Sequence, residues 1–338
     1  MKTSACRARP RFLPRPFLFA LLACFVAASL LSGCATPQLD RLQQSERQGL
    51  PERAEVPAVP FFAQDEFYSG PAALAMTLAW SGLSVTEDDL VPMIYTPGRN
   101  GALRTDILSG ARRYGRLAVP VEDLDALLTE IAAGNPVLVQ QNLGFGWFPK
   151  WHYAVAVGYD LRAETITLNS GTIERLVEPL ATFERTWARG DYWALVVTPP
   201  NRLAASADQT TAIVAANSLQ RTGHTEDAVF AYEAIVERWP NSQIGWLALG
   251  NAHYMLRDYA HAEVAYRHAT NLGPGEPESW NNLAVAVARQ GRQREALAHA
   301  QRAIDVSGPR ETLFRQTMAE IQQIEPAPAN FVVRAATR

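Results

Sequence analysis

Four side chains in the first half of the chain have the types needed for acyl transfer. Ser69 lies before Gly70-Pro71 and a small-residue apolar helix, and proline suits the first turn of a helix, so Ser69 falls at or just before the helix N-cap. His152 opens an alternating strand, Asn169 follows it by 17 positions, and Gln64 precedes Ser69 by five. A nucleophile at a helix N-terminus, a histidine on a facing strand, an amide that orients it and an oxyanion donor make up an acyl-transfer site.

Each of these residues also has a purely structural interpretation. Ser69 could cap the helix, because unpaired backbone N–H groups converge there. His152 could be a structural histidine, Asn169 a turn residue before Ser-Gly, and Gln64 a loop residue. The aromatic segment 145–151 could line a peptide groove through Trp147 and Trp151, although its composition favours the core. The sequence pattern leaves these alternatives open.

The elements that must position these residues occupy roughly residues 58–200. Helices are predicted first, at 70–81, 105–114 and 123–133, and strands afterwards. Helices followed by an antiparallel sheet indicate an α+β domain. The later strands are predicted at 136–141, 152–158, 165–168, 174–178 and 192–197, after earlier ones at 56–62 and 116–121.

Two motifs in this region resemble the bacteriocin-processing (double-glycine leader) peptidase family, whose members are papain-like cysteine peptidases. The first is Val59-Pro60-Phe61-Phe62 with Gln64 and Ser69-Gly70-Pro71-Ala72-Ala73, and the second runs from Trp151-His152 to Tyr159-Asp160. The resemblance implies a papain-like α+β fold. It further implies that Gln64 is the oxyanion residue, that His152 is the general base and that Asn169 stands at the third position, which is usually aspartate. Ser69 stands where the family has its cysteine.

The serine at position 69 matters most for activity. A thiol with a pKa near 8.5 gives useful thiolate beside an imidazole, whereas a serine hydroxyl needs strong general-base help. Serine triads supply that help through a carboxylate, and changing it to asparagine costs about four decades of rate in a chymotrypsin-type protease. The sequence therefore predicts a degenerate peptidase domain that binds peptide or protein. The alternatives are an active hydrolase that cleaves peptide bonds with Ser69 and His152, Asp160 being a substitute partner for the histidine, and a purely structural role in envelope assembly.

The N-terminus has the pattern of a bacterial lipoprotein signal. Lys2 and four arginines precede the apolar stretch 17–31, which ends in Leu31-Ser32-Gly33-Cys34. The resemblance implies that residues 1–33 are removed and that Cys34 carries lipid such as palmitate. Because Ala35 follows the cysteine, it also implies outer-membrane sorting. The alternative is an uncleaved anchor, and residues 34–57 read as a proline-containing tether in either case.

Composition excludes several function classes. The cysteines are Cys6, Cys24 and Cys34, so a processed chain would hold no free thiol or disulfide. The net charge is −3 with no basic run beyond the leader, which argues against nucleic-acid binding. We expect no cofactor and no metal, because His253, His261 and His268 show no convergent carboxylate pattern.

Residues 209–324 repeat with a 34-residue step, after a linker at 201–208. Trp246 matches Trp280, and Ala228 matches Ala262 and Ala296. This pattern resembles tetratricopeptide repeats, here 209–242, 243–276 and 277–310 with a capping helix, followed by a tail at 325–338 predicted to be disordered. The resemblance implies an all-α solenoid that binds a peptide or protein partner, with Asn281 and Asn282 as candidate contacts.

Overall fold

The computed structural model of the protein describes residues 36–44, 49–63, 67–99 and 101–323. Cys34, Gln64, the leader and the tail at 325–338 lie outside the described residues. None of the described helices is both long and apolar enough to cross a membrane.

The helix that begins at Ser69 lies at the centre of the first domain. Every residue from Ser69 to Leu78 is buried, which is possible because Gly, Pro and Ala side chains let neighbouring elements approach the backbone closely. Within this helix, Gly70 allows a close approach, since a Cβ there would lie 2.5 Å from the Cβ of Ala102. The helices of this domain are α1 (Pro37–Gln44), α2 (Ser69–Trp80), α3 (Glu87–Ile94), α4 (Arg104–Arg113), α5 (Leu124–Ala132) and α6 (Leu180–Ala188).

An antiparallel sheet of seven strands forms the other half of the domain, in the order β4-β9-β5-β6-β7-β8, with β1 pairing the far end of β6. Strand β6 is the longest and pairs along one edge with β5 and along the other with β7. A separate two-stranded ribbon joins β2 to β3. The strands are β1 (Arg53–Glu55), β2 (Tyr95–Thr96), β3 (Gly101–Ala102), β4 (Leu117–Val121), β5 (Val137–Asn142), β6 (Trp151–Asp160), β7 (Thr165–Ser170), β8 (Ile173–Pro179) and β9 (Ala194–Thr198).

The two faces of the sheet are buried in different ways. Alternate residues of β6 point to opposite faces. Tyr153, Val155 and Val157 join the core around α2, whereas Ala154 and Ala156 join the core around α5 and α6. The domain is thus α+β, with the helix that carries Ser69 on one face of the strand that carries His152.

The segment predicted to be a tether is instead part of the domain. The backbone N–H groups of Gln38 and Leu39, at the start of α1, each donate to a carboxylate oxygen of the buried Glu184 at 2.8 Å. Leu39 and Leu42 lie in the core, and β1 pairs with β6 in register from Arg53 to Glu55. Two apolar side chains on one face of a short helix, opposite a buried carboxylate, explain why the segment docks.

Three antiparallel helix pairs and a final helix follow, as the 34-residue step predicts. The predicted linker is not loose, because Ser206 donates its N–H and its hydroxyl to the buried carboxylate of Glu130, and Ala204 and Ala207 are buried. The core around α5 continues without a break into the first repeat. The helices are α7 (Gln209–Arg221), α8 (Thr225–Arg238), α9 (Gln243–Met255), α10 (Tyr259–Leu272), α11 (Pro277–Arg289), α12 (Gln293–Val306) and α13 (Glu311–Gln323).

Candidate active site

Ser69 is the first residue of α2, and its hydroxyl does not cap the helix. Tyr68 occupies the N-cap position and makes no side-chain capping bond. The Oγ of Ser69 accepts a hydrogen bond from the backbone N–H of Tyr153 at 3.2 Å, and the residue is 5% exposed. The capping interpretation of Ser69 is therefore wrong for this structure, and the hydroxyl instead joins the helix N-terminus to β6.

The imidazole of His152 has a hydroxyl as its partner. Its Nε2 lies 2.9 Å from the Oγ of Ser170, the last residue of β7. Among the hydrogen bonds and ion pairs of the described residues, none joins His152 to Ser69 or to a carboxylate. Asp160 lies at the opposite end of β6, where its Oδ1 accepts from the backbone N–H groups of Arg162 and Ala163.

Asn169, expected to orient His152, has a different role. Its Oδ1 accepts the backbone N–H of Arg175 at 3.1 Å across the β7–β8 hairpin. Asn169 pairs directly with Val155, which faces α2. Strand alternation gives Ser170 the other face, which it shares with Leu168 and with the even-numbered residues of β6. The residue that contacts His152 is therefore Ser170, one position after the predicted Asn169.

Burial, and after it the positive charge of Lys150, lowers the pKa of His152 to about 4. The imidazole is therefore neutral at neutral pH. A general base works best when its pKa lies near the working pH, so this histidine is a weak base as it stands.

A cavity of about 870 Å³ opens beside Ser69. Tyr153 forms one wall, with its hydroxyl donating to the carbonyl oxygen of Ala102 at 3.1 Å. Arg104 forms another and is held by Gln140 and by the carbonyl oxygen of Gly190. The cavity therefore combines aromatic surface with a fixed cation.

Sequence reasoning missed Ser170, Arg104 and Tyr153. Ser170 adjoins the predicted Asn169 and carries a hydroxyl, so strand alternation was the signal that could have found it. Arg104 opens a helix 35 residues after Ser69 in the chain. No local pattern connects it to the cavity, because the β2–β3 ribbon brings it there.

The aromatic segment lies outside the core, contrary to the favoured interpretation. The ring of Trp147 is 84% exposed and stacks on Phe145 with centroids 5.8 Å apart. Asn142 holds the base of the loop, since its Oδ1 accepts from the backbone N–H groups of Gly144 and Lys150. Trp151 is 49% exposed and lines the cavity, whereas Trp147 lies at the exposed tip of the loop between β5 and β6.

In the repeats, Asn281 and Asn282 lie beside a second depression of about 410 Å³, of which Asn282 is a lining residue. The Nδ2 of Asn282 donates to the Oδ1 of Asn251 at 3.0 Å, and that oxygen also accepts from Tyr266. The Oδ1 of Asn281 is buried with no hydrogen-bond partner among the described residues. Asn282 is therefore already engaged within the fold, and Asn281 retains an unused acceptor.

Comparisons with known proteins match the two halves of the chain separately. Residues 56–192 match the family model described as Peptidase_C39 like family, and residues 213–277 and 264–311 match the tetratricopeptide repeat model. A TPR repeat-containing protein of Picosynechococcus sp. is 37% identical over 67 residues, which is 20% of this chain and 17% of that relative.

Two solved structures are similar to parts of this chain at low identity. A C39-like peptidase from Bacillus anthracis is 19% identical, covering 44% of this chain and 98% of its own with a TM-score of 0.39. The TPR2B domain of yeast Sti1, in a complex with pHsp70, is 17% identical, covering 35% and 98% with a TM-score of 0.33. The family models therefore match a C39-like peptidase domain in the first half of the chain and tetratricopeptide repeats in the second.

Proposed function

We propose that this protein is an envelope-anchored lipoprotein in which a degenerate C39-like domain binds a peptide or protein segment and the repeats bind a second protein. The domain does not cleave its ligand at an appreciable rate. The alternative is a working hydrolase in which Ser69 attacks the peptide carbonyl and His152 accepts its proton.

One observation carries the proposal: the partner of His152 is the hydroxyl of Ser170. A serine nucleophile needs an imidazole that can hold a proton, and a carboxylate stabilises the imidazolium far better than a hydroxyl does. With a pKa of about 4, His152 is poorly suited to take the proton of Ser69. His152 thus lacks the carboxylate partner that hydrolysis by a serine would require.

The cavity supports binding. Its Trp151 and Tyr153 walls offer apolar surface, and Arg104 and Asp191 form an ion pair at its rim, 3.3 Å apart. The loop between β5 and β6, which leads into Trp151, adds the exposed rings of Phe145 and Trp147. Aromatic groups with a few fixed polar groups are typical of sites that hold an extended ligand.

The lipoprotein motif at Leu31–Cys34 supports membrane anchoring. Cys34 lies three residues before α1, and α1 packs on the domain through Leu39, Leu42 and Glu184. A lipid on Cys34 would therefore hold the peptidase-like domain close to the bilayer. Loss of palmitate labelling and of membrane fractionation in Cys34→Ser would support anchoring, and retention of both would contradict it.

A fluorophosphonate probe, which reacts with activated serines, tests the absence of catalysis. We expect no labelling of the wild type, and the same result for Ser69→Ala. The Ser69→Cys/Ser170→Asp double variant supplies the family's thiol nucleophile and gives His152 a carboxylate partner, so it should react with a thiol-directed probe at position 69.

Two results would decide against the proposal. Labelling of the wild type that disappears in Ser69→Ala would establish the hydrolase alternative. Peptide-library binding that is unchanged in Trp151→Ala and Arg104→Gln, with folding intact by circular dichroism, would show that the cavity is not the binding site.

A further inference from the structure

Two histidines and an aspartate converge on the side of the second repeat, away from the cavity. The Oδ2 of Asp258 lies 2.6 Å from Nδ1 of His261 and 3.7 Å from Nδ1 of His253. One potential ligand atom from each of the three residues lies within 4.8 Å of the others. The sequence predicted no metal site because it showed no convergent carboxylate pattern, and the fold brings the carboxylate of Asp258 to both histidines.

The turn between α9 and α10 holds this triad in place. The backbone N–H of Asp258 donates to the carbonyl oxygen of His253 at 2.9 Å, and Arg257 has a φ of 60°. Asp258 also caps α10, since its Oδ1 accepts the backbone N–H of His261 at 3.2 Å. The second oxygen, Oδ2, is the one directed to both imidazoles.

Comparison of the repeats singles out His253. The same turn bond joins His224 to Leu219 in the first repeat and Arg292 to Val287 in the third. Leu219 and Val287 are fully buried apolar residues at the position of His253, whose side chain is 13% exposed. Placing an imidazole where the fold otherwise uses aliphatic carbon has a desolvation cost, which a bound ligand would offset.

The surroundings favour a divalent cation. Glu233 and Glu237 of the preceding helix line a depression of about 360 Å³ that also includes His253 and His261. Imidazole nitrogens with one carboxylate oxygen suit zinc among the common ions, with water in the remaining position. Bonds of about 2.1 Å in a tetrahedral site place ligand atoms about 3.4 Å apart, a spacing between the two measured distances.

We propose that His253, Asp258 and His261 form a zinc site that fastens α9 to α10 in the second repeat. The ion binds to the solenoid surface and is independent of the peptidase-like cavity.

Calorimetric titration of the tag-free full chain with Zn²⁺, after chelator treatment, tests this site. A histidine tag must be absent because it would bind the same ion. We expect one saturable equivalent and a rise in melting temperature. His253→Leu takes the residue type of the first repeat, so it should fold and lose affinity by about 100-fold or more, given that even outer-shell changes cost 10–100-fold.

His261→Ala provides a second variant at an exposed position, where folding is not at risk. His224→Asn is the matched control, because His224 and Asp227 form a pair at 3.3 Å in the first repeat that lacks a second histidine. It should leave the titration unchanged. The assignment would be overturned if the folded wild type showed no saturable binding. It would also be overturned if His253→Leu and His261→Ala bound Zn²⁺ as tightly as the wild type does.

Discussion

Replacing Ser170 by aspartate should convert His152 into a competent base. In the wild type a hydroxyl faces Nε2 at 2.9 Å, and burial lowers the pKa of the imidazole to about 4. A carboxylate at the same place would stabilise the protonated ring. The pKa of His152 should therefore rise toward neutrality.

The separation of the two groups sets the size of this effect. Two unit charges at about 3 Å attract by about 6 kcal/mol at an effective dielectric constant of about 20, which corresponds to about four pKa units. Part of that is lost in desolvating the new carboxylate, and observed shifts from a neighbouring opposite charge are about 1–3 units. We expect a pKa between about 5 and 7 for His152 in Ser170→Asp.

Proton NMR titration of the His152 ring, assigned by comparison with His152→Gln, measures the shift directly. Ser170→Asn is the control, because it keeps a polar group without charge and should leave the pKa near its wild-type value. If Ser170→Asp titrates like the wild type, then Ser170 does not face the imidazole as described. The explanation of inactivity through a missing carboxylate would then fail.

Three further predictions follow from contacts outside the serine–histidine pair. Gly70→Ala should lower the free energy of unfolding by about 1–3 kcal/mol, because the new methyl group would meet Ala102. Gly98→Ala is the control and should change it little, because the space around Gly98 is open. Equal effects of the two substitutions in denaturant titrations would refute the close-packing argument. Glu184→Gln should weaken the docking of α1 by about 1–3 kcal/mol, which limited proteolysis would detect as faster cleavage before β1. Glu164→Gln is the control, because Glu164 contacts Gln43 at an exposed position, and it should not change the cleavage rate. Unchanged proteolysis of Glu184→Gln would contradict the docking of α1. The contribution of His152 to stability should be complete above its ordinary pKa of 6.5 and should disappear as the pH falls to about 4, because only the unfolded chain takes up the proton in that range. The free energy of unfolding, measured in urea above pH 6.5 and again near pH 4, should fall between the two by about 3 kcal/mol less in His152→Gln than in the wild type. Equal decreases would contradict the low pKa of His152.

Periodic features of the chain were predictable from sequence. The helix from Ser69 follows from its small apolar residues and Pro71, and β6 follows from strict alternation after His152. The repeats follow from the 34-residue step, because each pair of helices meets its neighbour through the same small residues. These patterns are local, and local patterns survive folding when tertiary packing agrees with them.

What the sequence did not reveal depends on contacts between distant segments. Glu184 and Glu130 each bind backbone groups from segments that had been interpreted as tether and linker. A buried carboxylate on one helix gives no sign in the sequence of which distant N–H groups it will accept. The partner of His152 was misassigned by one residue for a related reason, since face and register are set by strand pairing and not by counting.

The exposed aromatic loop and the hydroxyl beside His152 both agree with the proposed binding role of this domain. A domain kept only as a scaffold has no need for Trp147 at 84% exposure, because exposed rings add no core packing. A domain kept for hydrolysis by serine would need a carboxylate at position 170. A cavity with aromatic walls and a histidine without a carboxylate partner fits the proposed binding role. The ligand surface and the reaction centre can therefore be separated experimentally, by Trp151→Ala for binding and Ser170→Asp for chemistry.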